Sequence, residues 1–504
     1  MDTIKKNFDI ISLLARLERL EATVARLEKE NKALRKENAE LKKENAELKK
    51  QLVEKDKRID CLETALTKAK KDSSNSSKSP SSDIVKSKGR DRSKASNRKR
   101  GGQKGHKRSE RKPFTEDQIT DTLEYYLESC PDCGGKLEAM DKSEARKIQQ
   151  VEVMDKLVEV NEHRGLSYWC DNCQKVHYGV IPAIVEKSGF AGPELTTHIA
   201  FLKGFGHLSY SSLSRLLSDL YGIPGKPFSN SFLAKVIQKA SKALFSPYKE
   251  LEDALKLQSI LNIDETGHKH NGDKFWTWCF RAELFTFFHI ADTRGSRVLF
   301  DLLGEDFSGI IGCDLFSAYK KFMNNSCALV QFCIAHLIRD VRFMISLKDK
   351  DIKDYGNRLL DKIREMFKII HNRESMSEND FNETMKTAKK NIINTAINGP
   401  DKAEAKTMVK RFRNFGENYF TFITTPSLEP TNNFAEQAIR FVVIDRHITQ
   451  GTRSQKGNEW CERIWTAIGT CTQQERSVFE FIRETVYAHF NSQPAPSLLP
   501  ADST

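Results

Sequence analysis

The chain has 504 residues, 38% of them hydrophobic and 30% charged, with a formal net charge of +12. That length predicts several domains. The absence of any run of ~18 apolar residues argues against a transmembrane helix, and a charged N-terminus without an apolar core argues against export, so a cytoplasmic protein is expected. Eleven cysteines, an odd number, fit reduced thiols and a metal site better than a disulfide framework. The positive balance favours a polyanionic partner.

The first element, expected over 8–70, reads in heptads. Leu13, Leu20, Leu27, Leu34, Leu41, Leu48 and, after Lys55, Leu62 occupy d; Ile10, Leu17, Val24, Asn31, Asn38, Asn45, Leu52 and Ile59 occupy a. Such spacing keeps one apolar seam toward a partner helix, and successive Asn at a are tolerated when they pair across an in-register parallel dimer. Glu30 with Arg35, Glu37 with Lys42 and Glu44 with Lys49 supply opposite charges at g and e′. A parallel self-dimer is expected.

The segment 71–114 carries fifteen Lys and Arg against four Asp and Glu, so nearly all of the excess charge lies in it. It is too poor in apolar residues to offset the entropy of ordering, and disorder in isolation is expected. Arg98, Lys99, Arg100, Lys104, Lys107 and Arg108, interleaved with glycine, are candidate phosphate contacts. The bland reading is a solubilising linker.

Over 115–185, Cys130-Pro131-Asp132-Cys133 and Cys170-Asp171-Asn172-Cys173 form two CxxC knuckles. Four thiolates predict a closed, structural zinc site rather than a catalytic one. Between them, Gln149 to Met154 and Leu157 to Asn161 read as strands that return the chain to the metal. Residues 190–256 read as helical, with the stripe Leu213, Leu216, Leu217 and Leu220, the turn Gly222-Ile223-Pro224-Gly225-Lys226, and a second helix capped by Ser229 or Asn230. Helix, turn and helix suits a DNA-reading unit or a plain helical hairpin.

The last large region, 257–490, alternates apolar runs with acids. The run Leu261-Asn262-Ile263 ends at Asp264, and Ile310 to Cys313 ends at Asp314. Phe275 to Phe280, Phe285 to Ile290 and Ala328 to Ile334 read as further strands, with a short helix near Val298 to Leu303 and charged helices inserted at about 350–425. Glu436 lies in a helix that Thr431 or Asn432 starts. Singly, Asp264 suits a turn, Asp314 the cap of a helix near Ala318 to Phe322, and Glu436 an i,i+4 pair with Arg440. Together they suggest three carboxylates converging on two hard cations, Mg²⁺ or Mn²⁺, which take oxygen ligands and keep positions open for water and phosphate. Arg453 and Lys456, in Gly451 to Gly457, are candidate phosphate contacts.

Pro80-Ser81-Ser82-Asp83, Gly101 to His106, the paired knuckles, Asp264-Glu265-Thr266, Asp314 with Ala318-Tyr319, Ala335-His336 and Asn432-Asn433-x-Ala435-Glu436 occur in that order. In this the chain resembles transposases of the insertion-sequence-sixty-six family, a group of DDE transposases, up to about Asn491. The resemblance implies an α/β RNase H-like catalytic core, assigns Asp264, Asp314 and Glu436 as its triad, and implies accessory proteins encoded by the same element. Gly267 stands where the family pattern would have proline. The expected architecture is multidomain: coiled coil, basic linker, zinc module, helical region, RNase H-like core and a 491–504 tail. The expected function is binding of an element's terminal inverted repeats, metal-dependent phosphodiester cleavage and joining of the 3′-OH ends to target DNA. The alternatives are an RNase H-like nuclease without strand transfer, and a catalytically silent, domesticated zinc-containing DNA-binding dimer. Glu265, one residue along the strand from Asp264, reads as a supporting or surface acid.

Overall fold

The structure, a computed structural model, describes residues 2–69, 115–116, 158–170, 175–178, 180–221, 228–425 and 427–500. These fall into two compact units, one holding the N-terminal helix, Leu244–Phe481 and the stretch from Pro496, the other holding the described residues between that helix and Ala243 together with Ile482–Ala495.

The N-terminal helix α1 runs over Asp2–Ala69 without a break, as its Leu, Glu, Lys and Arg content favours. Its seam lies open to solvent: Leu20 is 59%, Leu34 57% and Leu48 51% exposed. A helix with an exposed heptad seam is consistent with a coiled coil.

The second unit begins with the hairpin β1 (Ser167–Cys170) and β2 (Lys175–Tyr178), in which Cys170 is level with Lys175. The strand expected over Leu157 to Asn161 is not formed in its described part, 158–161, which has no regular structure. Helices α2 (Ala183–Ser188), α3 (Pro193–Gly204), α4 (Tyr210–Tyr221) and α5 (Asn230–Ala243) follow. Leu213 and Leu217 of α4 and Leu233, Val236 and Ile237 of α5 are buried, and the Ser229 hydroxyl accepts from the Phe232 N–H at 3.2 Å. The returning segment is tied to α3 where Arg483 Nε, at 2.7 Å, and the Tyr487 hydroxyl, at 2.9 Å, donate to Glu194 Oε1.

In the first unit, α6 (Phe245–Ala254) packs against the sheet through Tyr248, whose hydroxyl donates to the Phe288 carbonyl at 3.2 Å. The sheet has five strands in the order β5-β4-β3-β6-β7. β3 (Ile260–His270), β4 (Asp273–Arg281) and β5 (Thr286–Ala291) form an antiparallel meander. The first hairpin turns through Asn271-Gly272, both at positive φ, 52° and 94°, a two-residue turn whose twist suits the strands and which Gly enters without strain. Helix α7 (Arg297–Leu303) then leads to β6 (Ile310–Cys313), parallel to β3, and α8 (Ser317–Asn324) leads to β7 (Leu329–Phe332), parallel to β6.

Four helices, α9 (Ile334–Ile345), α10 (Lys350–His371), α11 (Glu378–Ile397) and α12 (Ala403–Phe415), form a layer after β7. Asp349 caps α10 and Ser377 caps α11, and Arg411 pairs with Asp340 at 2.9 Å. The chain comes back to the sheet as α13 (Asn433–Thr449), which packs across β3 and β4, and α14 (Gln455–Gln473), which packs along β5; α15 (Val478–Phe490) follows.

Both sheet edges are covered. Along β5 the N–H groups of Thr286, Phe288 and Ile290 donate to Thr470 Oγ1 (3.2 Å), Thr466 Oγ1 (3.0 Å) and Glu462 Oε1 (2.7 Å). Every second residue of a strand advances about 6.7 Å and every fourth of a helix about 6 Å, so the two ladders match. Along β7, Thr421 donates to the Val330 carbonyl at 2.8 Å and the Gln331 side chain bonds Tyr419 and Phe422. An edge treated this way offers no template for pairing with another chain.

Candidate active site

β3 does not stop at Asp264, as the sequence reading expects; it runs six residues further. What ends near the acid is the parallel pairing, whose last partners are Asn262 and Gly312. Asp264 and Asp314 each lie two residues beyond that pair, so neighbouring parallel strands deliver their carboxylates side by side. Gly312 makes room for this: a Cβ there would lie 2.5 Å from Asn262 Oδ1. Gly267 lies inside β3 opposite Trp276, where no turn is made and proline would cost a donor.

Glu436 arrives from α13. Asn432, just before that helix, does not cap it with its side chain. Its Nδ2 instead donates to the Ile263 carbonyl at 2.8 Å, and its backbone N–H donates to Cys333 Sγ at 3.2 Å. The Pro430 carbonyl accepts from the Ile334 N–H at 3.0 Å. The start of α13 is thereby fastened to β3, next to Asp264, and to the end of β7. Glu436 is buried and accepts from Arg339 Nη2 at 3.2 Å, rather than pairing with Arg440, while His336 Nδ1 lies 3.6 Å from its Oε1.

The electrostatics agree. Burial, then Glu265, Asp314 and Glu436 beside it, push the Asp264 carboxyl well above the usual range, against one N–H from Glu265. Burial and Glu265, with a smaller push from Glu436, raise Asp314 to about 7 despite the opposing Arg294 guanidinium and the Phe316 N–H. Asp314 Oδ1, Asn262 Oδ1 and Asn432 Oδ1 are buried without a hydrogen-bond donor. Buried acceptors of this kind are costly unless something positive meets them. Crowded carboxylates and orphaned oxygens are groups that could hold a hard divalent cation.

Glu265 is buried beside this cluster, so it is not a surface acid. It accepts from Arg294 at 2.6 Å and from the Tyr319 hydroxyl. Arg294 stacks on Phe316, 3.8 Å from its ring centre, and comes within 3.9 Å of Asp314 Oδ2. Burial pushes the Cys333 thiol up to about 11, against N–H groups of Asn432, His336 and Ala335 that favour the thiolate.

The other candidates lie elsewhere. Arg453 and Lys456 are exposed before and in the first turn of α14. Their loop bridges to His270, about 20 Å along β3 from Asp264. Cys130, Cys133 and Cys173, with Arg98, Lys99, Arg100, Lys104, Lys107 and Arg108, lie outside the described residues; Cys170 ends β1. The sequence reading gives Asn432 only the start of a helix, and it assigns no role to Arg339, Arg294 or Asn262. Only Asn432-Asn433, within the motif around Glu436, carries a readable signal for any of them.

Residues 188–459, more than half of the chain, match the model of the family described as Transposase IS66 family. The chain belongs to this family. Membership implies DNA transposition, with DNA as a partner and a divalent metal as cofactor. The family match takes in Asp264, Asp314 and Glu436, and all of the sheet. A family of unknown function, DUF6444, matches residues 27–112, from within α1 into the basic segment. No curated protein and no solved structure matches the chain. Among the described residues of this IS66-family chain, no helix is long and apolar enough to cross a membrane.

Proposed function

We propose that this IS66-family chain is a DDE transposase on an RNase H-like core: it binds the terminal inverted repeats of its element, cleaves a phosphodiester at each end and joins the 3′-OH ends to target DNA. What supports the reading is the electrostatic push that Asp264 takes from Asp314 and Glu436, acids carried by two parallel strands and a tethered helix. The strand order, three antiparallel strands followed by two parallel ones, supports the RNase H-like assignment.

Asp264, Asp314 and Glu436 would hold two Mg²⁺ or Mn²⁺ ions, which supply an activated attacking oxygen and stabilise the leaving one. The chain's own part is to hold the carboxylates: Asn432 fixes α13 against Ile263, and Gly312 lets Asn262 lie beside the acids. Arg339 balances the Glu436 charge. Arg294, held by Glu265 between Phe316 and Trp276, limits the negative field on Asp314.

The remaining assignments belong to the same reading. The basic segment containing Arg98, Lys99, Arg100, Lys104, Lys107 and Arg108 binds phosphate, as do Arg453 and Lys456. Cys130, Cys133, Cys170 and Cys173 hold a structural Zn²⁺. α1 pairs in parallel with a second copy, in the bacterial cytoplasm, and accessory proteins of the element assist. The test is strand transfer on oligonucleotides bearing the element ends, with Mg²⁺ or Mn²⁺. Full activity in Asp314→Ala removes the catalytic assignment. Cleavage without joining favours a nuclease, and tight end binding without cleavage favours a DNA-binding regulator.

A further inference from the structure

At the end of β7 three ligand types meet. Cys333 precedes α9, His336 lies in that helix's first turn, and Glu436 comes in from α13. One sulfur, one imidazole nitrogen and one carboxylate oxygen lie within 4.8 Å of one another, and all three residues are buried. His336 is 7% exposed, yet its Nδ1 has no hydrogen-bond partner and faces Glu436 Oε1 at 3.6 Å. Its Nε2 lies 3.2 Å from Arg339 Nη1. Around Cys333 Sγ gather the N–H groups of Asn432, His336 and Ala335. Those N–H groups would bond the sulfur once a metal has displaced its proton. A buried imidazole nitrogen without a partner is a second open donor.

We propose that Cys333, His336 and Glu436 form a site for a borderline transition ion, with Zn²⁺ as the probe. Its donor set is distinct from the all-oxygen set of Asp264 and Asp314. Sulfur and imidazole ligands select zinc over magnesium, and three protein ligands leave a fourth position for water. Donor atoms around a tetrahedral zinc lie about 3.5 Å apart, so closing the triangle takes a shift of about 1 Å. Arg339 is nearer Glu436 Oε2, at 3.2 Å, than Oε1, at 3.5 Å, so the carboxylate can ligate through Oε1 and keep its guanidinium partner. On binding, the sulfur–metal bond replaces the S–H bond and that proton leaves to solvent, while the ring proton of His336 moves from Nδ1 to Nε2 and Arg339 Nη1 gives up its contact there; nothing is oxidised.

One consequence rests on the catalytic reading above. Glu436 belongs to both ligand sets, so zinc bound here withdraws it from the magnesium site and inhibits cleavage.

The experiment uses the full chain, stripped of metal, reloaded with zinc and dialysed. Bound zinc is counted by elemental analysis in the wild type, Cys333→Ser and His336→Gln, each checked by circular dichroism. Each folded variant is expected to hold one zinc equivalent fewer than the wild type. With Co²⁺ as substitute, the wild-type-minus-Cys333→Ser spectrum is expected to show a sulfur-to-cobalt charge-transfer band. Equal zinc content in the wild type and either folded variant, or a flat cobalt difference spectrum, overturns the site. If neither variant folds, cobalt titration of the wild type decides, and saturation of the thiolate band at four sulfurs rather than five overturns it. In the cleavage assay, the half-inhibiting zinc concentration is expected to rise more than about tenfold in Cys333→Ser. Absence of any Mg²⁺-supported cleavage would sink the catalytic reading while leaving the zinc count to judge the site.

Discussion

Asp314 is raised to about 7 by burial and by Glu265, so its ionised form opposes folding when no metal is present. The sign is that of a raised acid: the cost is absent below its ordinary 3.8, grows as pH climbs, and is complete above about 7. Asp314→Asn should therefore stabilise the metal-free protein at pH 8 by ~2–4 kcal/mol, with little effect near pH 4. Chemical denaturation with chelator present at the two pH values measures this. On the proposed function the same variant should lose about 10³-fold in end cleavage, because a proposed metal ligand is gone. His268 titrates in the opposite sense. Burial first, then Arg446 and His270, lower it from 6.5 to about 4 against the pull of Asp445. Its neutral form bonds Thr452 Oγ1 at 3.0 Å. The His268 contribution to stability is full above pH 6.5 and falls by about 3 kcal/mol between there and pH 4. In His268→Gln that acid loss should shrink, as thermal melts across pH 4–7 would register.

Among the elements, α14 and β5 depend on one another. Thr466 is fully buried, and its hydroxyl takes the Phe288 N–H on an open edge. Thr466→Val keeps the shape and strands that N–H, at a cost of about 1–3 kcal/mol. Urea unfolding gives the value, and an unchanged midpoint would mean the edge is held by packing alone. α13 depends in the same way on Asn432, whose amide is the direct link between the helix start and β3. The Asn271-Gly272 hairpin was legible in the sequence and goes unused in the reading above; a two-residue Asn-Gly between apolar runs is a strong hairpin signal. The pairing of Thr466 with Phe288 was not legible. Its partners are far apart in the chain, and a threonine in a helix reads as an ordinary neutral choice.

For the whole molecule, the exposed seam of α1 sets the prediction. Seven-residue spacing with Leu at d leaves apolar side chains in water unless a second copy covers them. Light scattering is expected to give a dimer for the full chain and a monomer for a chain lacking residues 2–69. Replacing Asn31, Asn38 and Asn45 by Leu should raise the melting temperature and mix oligomeric states, since polar a residues hold the register at a cost in stability. A chain lacking 2–69 that remains dimeric would place self-association elsewhere.

By itself the sequence determined what depends on local pattern. The heptads gave α1, the apolar runs gave the five strands in order, and ordered motifs gave the family. Asp264, Asp314 and Glu436 were named because acids next to strands and at a helix start are locally visible. Tertiary structure decided how those residues meet. Only parallel registration of β3 with β6 puts Asp264 level with Asp314, and a register is a relation between strands about 50 residues apart. The partners Arg339, Asn432 and Arg294 are polar residues of ordinary type at ordinary positions. Their roles come from burial, which makes each unpaired acceptor costly and each fixed donor consequential. Hydrophobic pattern sets which elements form; desolvated polar contacts between distant elements set what the site can hold.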